Sequence, residues 1–142
     1  MELTITRLFD APPALVFQAF VEPRRLLQWM GPHARPVVES DTDPRPGGKW
    51  RARLAGPGDL RQHGVYREVV PGKRLVYTFA WEDDGEVGPE TLITVTFADQ
   101  DGRTLMTFHQ APFATVSALE GHRAGWGETF DRLVAHLARQ SP

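Results

Sequence analysis

The sequence predicts an α+β fold in which an antiparallel sheet is covered by one long C-terminal helix. Three observations carry this expectation. The middle of the chain is filled with segments that alternate apolar and polar residues, joined by short turns rich in Gly, Pro and Asp. The last stretch follows helical spacing instead. Two short helical stretches, each with proline near its start, lie between the first strand and the rest. A long helix must bury its apolar stripe, and the one sheet is the surface on which to do so.

Taken in order, "ELTITRLF" has Leu3, Ile5 and Phe9 in alternation and reads as a strand. In "DAPPALVFQAF", Asp10 is the expected N-cap, with the prolines in the first turn. Leu15, Val16, Ala19 and Phe20 share one helical face. "PRRLLQWM" is a second short helix, stopped by Gly31-Pro32. "ARPVVESD" and "GGKWRARLAG" are strands, the second with Trp50, Ala52 and Leu54 on one side and Lys49, Arg51 and Arg53 on the other. "QHGVYREVV" leads to a turn at Pro71-Gly72. "RLVYTFAW" places Leu75, Tyr77, Phe79 and Trp81 on one face. "EDDGEVGPE" is expected to be loop. "TLITVTFAD" buries Ile93, Val95 and Phe97, "DQDG" is a hairpin turn, and "RTLMTFHQ" buries Met106, Phe108 and Gln110. This makes about seven strands, most of them joined as a meander. From about Thr115 to Arg139 the chain is helical, with Leu119, His122, Trp126, Phe130, Leu133 and Leu137 in one stripe. Glu120, Glu128, Asp131 and Arg132 are expected on the opposite side. No linker, repeat or low-complexity stretch interrupts residues 1–142, so one domain is expected.

Composition narrows the function. The chain has 142 residues, 41% apolar and 24% charged, with a net charge of -2. That balance argues against a nucleic-acid partner. Arginine supplies 14 of the 16 basic residues. Its densest group, Arg51, Arg53 and Arg61, has acidic neighbours and reads as a solvated strand face. There is no cysteine, which excludes disulfides, thiolate nucleophiles and zinc-thiolate sites. The N-terminus lacks the pattern of a signal peptide, and no apolar run approaches the ~20 residues of a membrane span. A cytoplasmic protein is the expectation. The sequence holds no nucleophile elbow, zincin motif, phosphate loop or dinucleotide fingerprint. No cofactor or metal is expected. The five histidines are dispersed, and His33, His63 and His136 read as loop, strand-edge and outer-helix residues.

The segments "RLFDAPPALVFQAFVEPRRLLQWMGP", "GGKWR", "GVYREVVPGKRLVYTFAW", "TLITVTF" and "GWGETFDRLVAHL" together resemble a known family. It is the family similar to the C-terminal domain of the activator of the 90-kDa heat-shock chaperone's ATPase, within the START and birch-pollen-allergen (SRPBCC) superfamily. The resemblance covers nearly the whole chain in order. It implies a helix-grip fold: a curved antiparallel sheet of six to seven strands wrapped around the C-terminal helix, with a cavity between. Members bind lipids, hormones or polyketides, and a few catalyse. Relatives often carry a histidine at the end of the last strand. Gln110 stands there in this chain, unless His109 takes its place by a shift of register.

"EGHRAGWGETFDRL" sets Gly121, Gly125 and Gly127 around Trp126 inside the best helical segment, although each glycine costs a helix about 1 kcal/mol relative to alanine. Gly121 and Gly125 fall on one flank of the helix and Gly127 on the other. Either the helix is thinned to curve over a cavity mouth, or the glycines simply make room for Trp126 in the core.

The inward-facing set is aromatic: Trp50, Tyr66, Tyr77, Phe79, Trp81, Phe97 and Phe108, joined by Trp126 and Phe130 from the helix. Such residues fill a core or line a small-molecule pocket, and the resemblance favours a pocket. By alternation Glu68, Gln110 and His122 face the same space. A polar group there needs a partner, internal or bound. Arg7 is a candidate internal partner for Glu68, and Arg123, at the edge of the stripe, either pairs with acidic neighbours or guards an entrance. His122 is either a satisfied buried histidine or a general base. The expected ligand-binding set is therefore Trp50, Tyr66, Glu68, Tyr77, Phe79, Trp81, Phe108, Gln110, His122, Trp126 and Phe130. The expected function is binding of a small hydrophobic or aromatic molecule, by a monomer or homodimer. The alternatives are a cyclase- or dehydratase-like enzyme acting on a polyketide-like substrate and, as the family resemblance implies, a chaperone-associated module. The eukaryotic activators have a further N-terminal domain for which 142 residues leave no room, so chaperone contact is the least expected of the three.

Overall fold

The alternating segments pair into an eight-stranded antiparallel sheet, and the terminal segment forms one helix of 25 residues against its concave face. The computed structural model describes residues 1–140. The elements run β1 (Leu3–Phe9), α1 (Pro13–Val21), α2 (Pro23–Trp29), β2 (Val37–Thr42), β3 (Lys49–Leu54), β4 (Leu60–Val70), β5 (Arg74–Asp83), β6 (Glu86–Val87), β7 (Thr91–Gln100), β8 (Arg103–Ala111) and α3 (Val116–Gln140). The spatial order is β1-β8-β7-β5-β4-β3-β2, with β6 pairing β5. From β2 onward the sheet is the expected meander. β1 closes onto β8, so α1 and α2 carry the chain from one edge of the sheet to the other. No described helix is long and apolar enough to cross a membrane.

Two turns share one chemistry. Asp101 and Gly102 both have positive φ, which closes the two-residue hairpin expected at "DQDG". Asp84 and Gly85 do the same. The segment read as loop therefore contains the short strand β6, with Glu82 opposite Val87 and Asp83 opposite Glu86.

α1 begins later than expected. Asp10 does not cap it: Pro12 stands at the N-cap and no side chain caps the helix. The Pro12 carbonyl accepts from the N–H groups of Leu15 and Val16, and Pro13 at the first helical position has no N–H to satisfy.

The core joins α1, α2 and α3 to the concave face. Phe17, Phe20, Phe97, Trp29, Phe108 and Phe130 are all buried. Phe20 meets Trp29 edge-on at 4.9 Å and Phe97 at 5.4 Å, and Phe108 meets Phe130 at 5.3 Å. Trp29 donates its indole N–H to the Ala19 carbonyl at 2.9 Å, so this large ring is buried without an orphaned donor. His136, expected on the outer face of α3, is in fact only 2% exposed, and neither ring nitrogen has a hydrogen-bond partner. The helical stripe is wider than the apolar residues alone suggest, and His136 lies one position before Leu137 at its edge.

The outer face of β2–β4 is as expected. Arg51, Arg53 and Arg61 pair with Asp41, Glu39 and Asp59 at 3.4, 2.9 and 2.8 Å. Such exposed pairs contribute little to stability.

Candidate functional site

The concave face carries side chains in rows, because residues opposite each other on neighbouring strands point the same way. Ala52, Gln62 and Trp81 form one row across β3, β4 and β5. Trp50 lies opposite Gly64 in the next. A Cβ on Gly64 would overlap the Thr78 carbonyl and the Trp50 indole. The missing side chain is what lets Trp50 lie flat across β4 and donate its N–H to the Thr78 carbonyl at 3.0 Å.

Above these rows the interior is not filled. A cleft of about 330 Å³ lies between the sheet and the first half of α3. Trp81 and Gln62 form its sheet side, and Ala118, Gly121, His122, Gly125, Trp126 and Thr129 its helix side. Met30, Gly31 and Pro32, just after α2, form its lip. Met30, Gln62 and Trp126 also border a smaller space of about 30 Å³ deeper in, lined by Trp50, Tyr66, Tyr77 and Phe79 among others. Among the described residues, no carboxylate, lysine or arginine lines either space.

The lip is held in place from α3. Arg132, expected on the far face of the helix, donates to the carbonyls of Met30 and Gly31 at 3.0 and 2.8 Å. The His33 N–H donates to Glu128 at 2.6 Å. Gly31 has φ +90, and a Cβ there would press on the Arg35 carbonyl at 2.8 Å. Glycine is therefore required at the lip.

α3 remains one helix through its glycines. A Cβ on Gly121 or Gly125 would meet nothing within 4 Å, and both residues border the cleft. Gly127, on the other flank, receives the Arg7 guanidinium on its carbonyl at 3.1 Å. Trp126 is core and wall at once. It stacks on Phe130 at 5.6 Å and meets Phe108 at 4.7 Å, and it also borders both spaces.

The expected site residues divide. Trp81, His122 and Trp126 border the cleft, and Trp50, Tyr66, Tyr77 and Phe79 border the inner space. Phe108 and Phe130 border neither and are fully buried core. Gln110 is also fully buried. Its carbonyl accepts from the Trp126 indole at 2.9 Å, and its amide donates to Thr91 Oγ1 at 2.9 Å. Glu68 does not face inward. A bulge between Tyr66 and Glu68 inserts one residue into β4 and reverses the alternation, so Glu68 is exposed and pairs with Arg74 at 3.0 Å. Arg7 accordingly pairs with Asp131 at 2.9 Å, not with Glu68. His109 does not replace Gln110: it lies 3.5 Å from Glu2 on the outer side. Arg123 is exposed, 3.5 Å from Glu120.

His122 is engaged at both nitrogens. Nδ1 lies 2.8 Å from the Ala118 carbonyl, and Nε2 lies 2.9 Å from the Trp81 indole nitrogen. The indole can only donate, so Nε2 accepts and Nδ1 carries the proton. This neutral tautomer bridges sheet and helix across one end of the cleft.

Gln62 was not singled out from the sequence, although it precedes Gly64 and Tyr66 at period two. It is 5% exposed and borders both spaces, and its amide has no hydrogen-bond partner among the described residues. The hydroxyls of Tyr66 and Tyr77 also lack one. Burial pushes both phenols well above the ordinary tyrosine range, with a smaller contribution from Asp43 on Tyr66 and from Tyr66 on Tyr77. Both stay protonated. No three metal-ligating side chains come together among the described residues.

A curled antiparallel sheet gripping one long C-terminal helix, with an apolar cleft between them, defines a helix-grip domain of the SRPBCC kind. Residues 10–138 match the profile of the activator of Hsp90 ATPase homolog 1-like proteins, and the chain belongs to that family. Among solved structures, the AHSA1 protein of Silicibacter pomeroyi superposes with a TM-score of 0.88 at 23% identity, covering 99% of this chain and 100% of that one. An uncharacterised protein of Rhizobium leguminosarum gives 0.83 at 27% identity, covering 98% and 95%. A Mycobacterium smegmatis protein gives 0.84 at 26% identity, covering 99% and 92%. A search of curated proteins found no match.

Proposed function

We propose that the protein binds a small, uncharged and largely apolar molecule in the cleft between the sheet and α3. The observation that carries this reading is the pair Gly121 and Gly125. Each weakens the helix, each borders the cleft, and a Cβ on either would meet no described residue within 4 Å; Gly127 is equally open but lies away from the cleft. A volume of about 330 Å³ lies at the lower end of small-molecule sites and suits two or three fused rings. Trp81 and Trp126 offer aromatic surfaces for such a skeleton. Among the described residues, the one titratable side chain bordering the cleft is His122, and it is occupied at both ring nitrogens, which favours binding over acid–base chemistry.

A thermal-shift screen with uncharged bicyclic and tricyclic compounds tests this reading, because a ligand bound to the folded state raises Tm by mass action. The screen is run on the wild type and on Gly125→Leu, whose side chain fills the cleft. Hits that stabilise the wild type and fail on the variant are expected. Hits that survive Gly125→Leu, or the absence of hits, would overturn the proposal.

A further inference from the structure

The deep wall of the cleft gives the ligand a more definite chemistry. Gln62, Tyr66 and Tyr77 line the inner space, all are at least 93% buried, and none has a partner for its polar atoms among the described residues. Their polar atoms are not sealed inside the protein, unlike the ring nitrogens of His136, so their hydrogen-bonding capacity is open to an occupant of the space. Gln110, on the same face, is the contrast, with both ends of its amide bonded inside the protein.

Resting on the binding role above, we infer that Gln62, backed by Tyr66 and Tyr77, recognises one uncharged hydrogen-bonding group at the leading end of the ligand. The class that fits is an aromatic or alicyclic skeleton carrying a hydroxyl or a carbonyl. A charged headgroup does not fit, because no described residue of opposite charge lines the space and burial keeps both phenols neutral. Size adds a second limit. The inner space, about 30 Å³ against about 330 Å³ for the cleft, suits a small oxygen function at the tip of the ligand rather than its skeleton. An amide and a hydroxyl each donate and accept, so the wall can meet either an alcohol or a ketone.

The test is calorimetric titration of three naphthalenes: 2-naphthol, 2-methylnaphthalene and 2-naphthoate. Wild-type protein is expected to bind the naphthol about 10-fold tighter than the hydrocarbon, with naphthoate weakest. Gln62→Leu is expected to erase that preference, weakening the naphthol about 10-fold and leaving the hydrocarbon unchanged or tighter. Gln62→Met serves the same comparison if the leucine variant does not melt cooperatively. Should the preference persist without Gln62 while Gly125→Leu abolishes binding, this inference fails and the cleft stands. Should Gly125→Leu leave all three affinities unchanged, or should none of the three bind, the binding role itself falls.

Discussion

Gln110 and Gln62 are both buried on the concave face, yet their surroundings differ in kind. Gln110 links the Trp126 indole to Thr91, whose hydroxyl continues to the Phe79 carbonyl at 3.4 Å. Gln62 is 5% exposed, its amide has no partner among the described residues, and that amide is not sealed from solvent. The glycines repeat the contrast. At Gly64 the absent side chain is replaced by Trp50, whereas at Gly121 and Gly125 it is replaced by nothing. One end of the interior is complementary to itself. The other keeps room and hydrogen-bonding capacity that the chain does not use, and we read that difference as the signature of a binding site.

Substitutions sharpen the contrast. The largest effect is expected from Gly64→Ala, which must displace either the Thr78 carbonyl or Trp50. A loss of about 3 kcal/mol is expected in urea unfolding. A loss below about 1 kcal/mol would mean that the closed end is not tightly fitted.

The two glutamines provide a matched pair. Gln110→Leu leaves the Trp126 N–H and Thr91 without their partner and should cost about 2 kcal/mol. Gln62→Leu removes an amide that bonds to nothing and should cost close to zero or stabilise. Equal losses from both in the same denaturation series would erase the distinction between the two ends.

His136 tests whether an unpaired buried group outside the cleft behaves as the physics of burial requires. Burial, with help from Arg25 and Arg139, holds its pKa below the ordinary value of 6.5. The folded state therefore keeps it neutral while the unfolded chain takes up a proton. Stability is full above pH 6.5 and falls as the pH drops below that value, levelling off once the folded protein is protonated too. His136→Leu should raise stability by about 1 kcal/mol near neutrality and flatten this part of the acid limb. Unfolding free energies of both proteins between pH 7 and pH 5 check the sign. A parallel fall would show that His136 is not responsible.

The smallest effect is expected at the open end. Gly121→Ala and Gly125→Ala meet no atom within 4 Å, so each should gain roughly 0.5–1 kcal/mol of helix stability while narrowing the cleft. A variant that is more stable and binds less tightly is the expected result, read by Tm and by affinity for 2-naphthol. Destabilisation by either alanine would show that the space is already filled by the protein.

The order of elements, the meander, the Asp101-Gly102 hairpin and the buried stripe of α3 were all legible in the sequence, because each depends on spacing within a few residues. The aromatic inner face was legible for the same reason. Asp10 reads as a cap, yet Pro12 and Pro13 shift the helix start two residues on, and the two residues of β6 carry no periodicity to reveal a strand.

Which inward residues would line a space, and which would fill the core, was decided only in three dimensions. Alternation places Tyr66 and Glu68 on one face, but a bulge against β5 turns Glu68 out, and a bulge belongs to the pairing of two strands rather than to either. Gln110 finds its partners at Trp126 and Thr91, 16 and 19 residues away, so no local pattern distinguishes it from Gln62. The cleft exists because surfaces from the segment after α2, from β4, from β5 and from α3 meet without matching. Local spacing determines which way a side chain points, while the fit of distant segments determines whether anything of the protein's own is there to meet it.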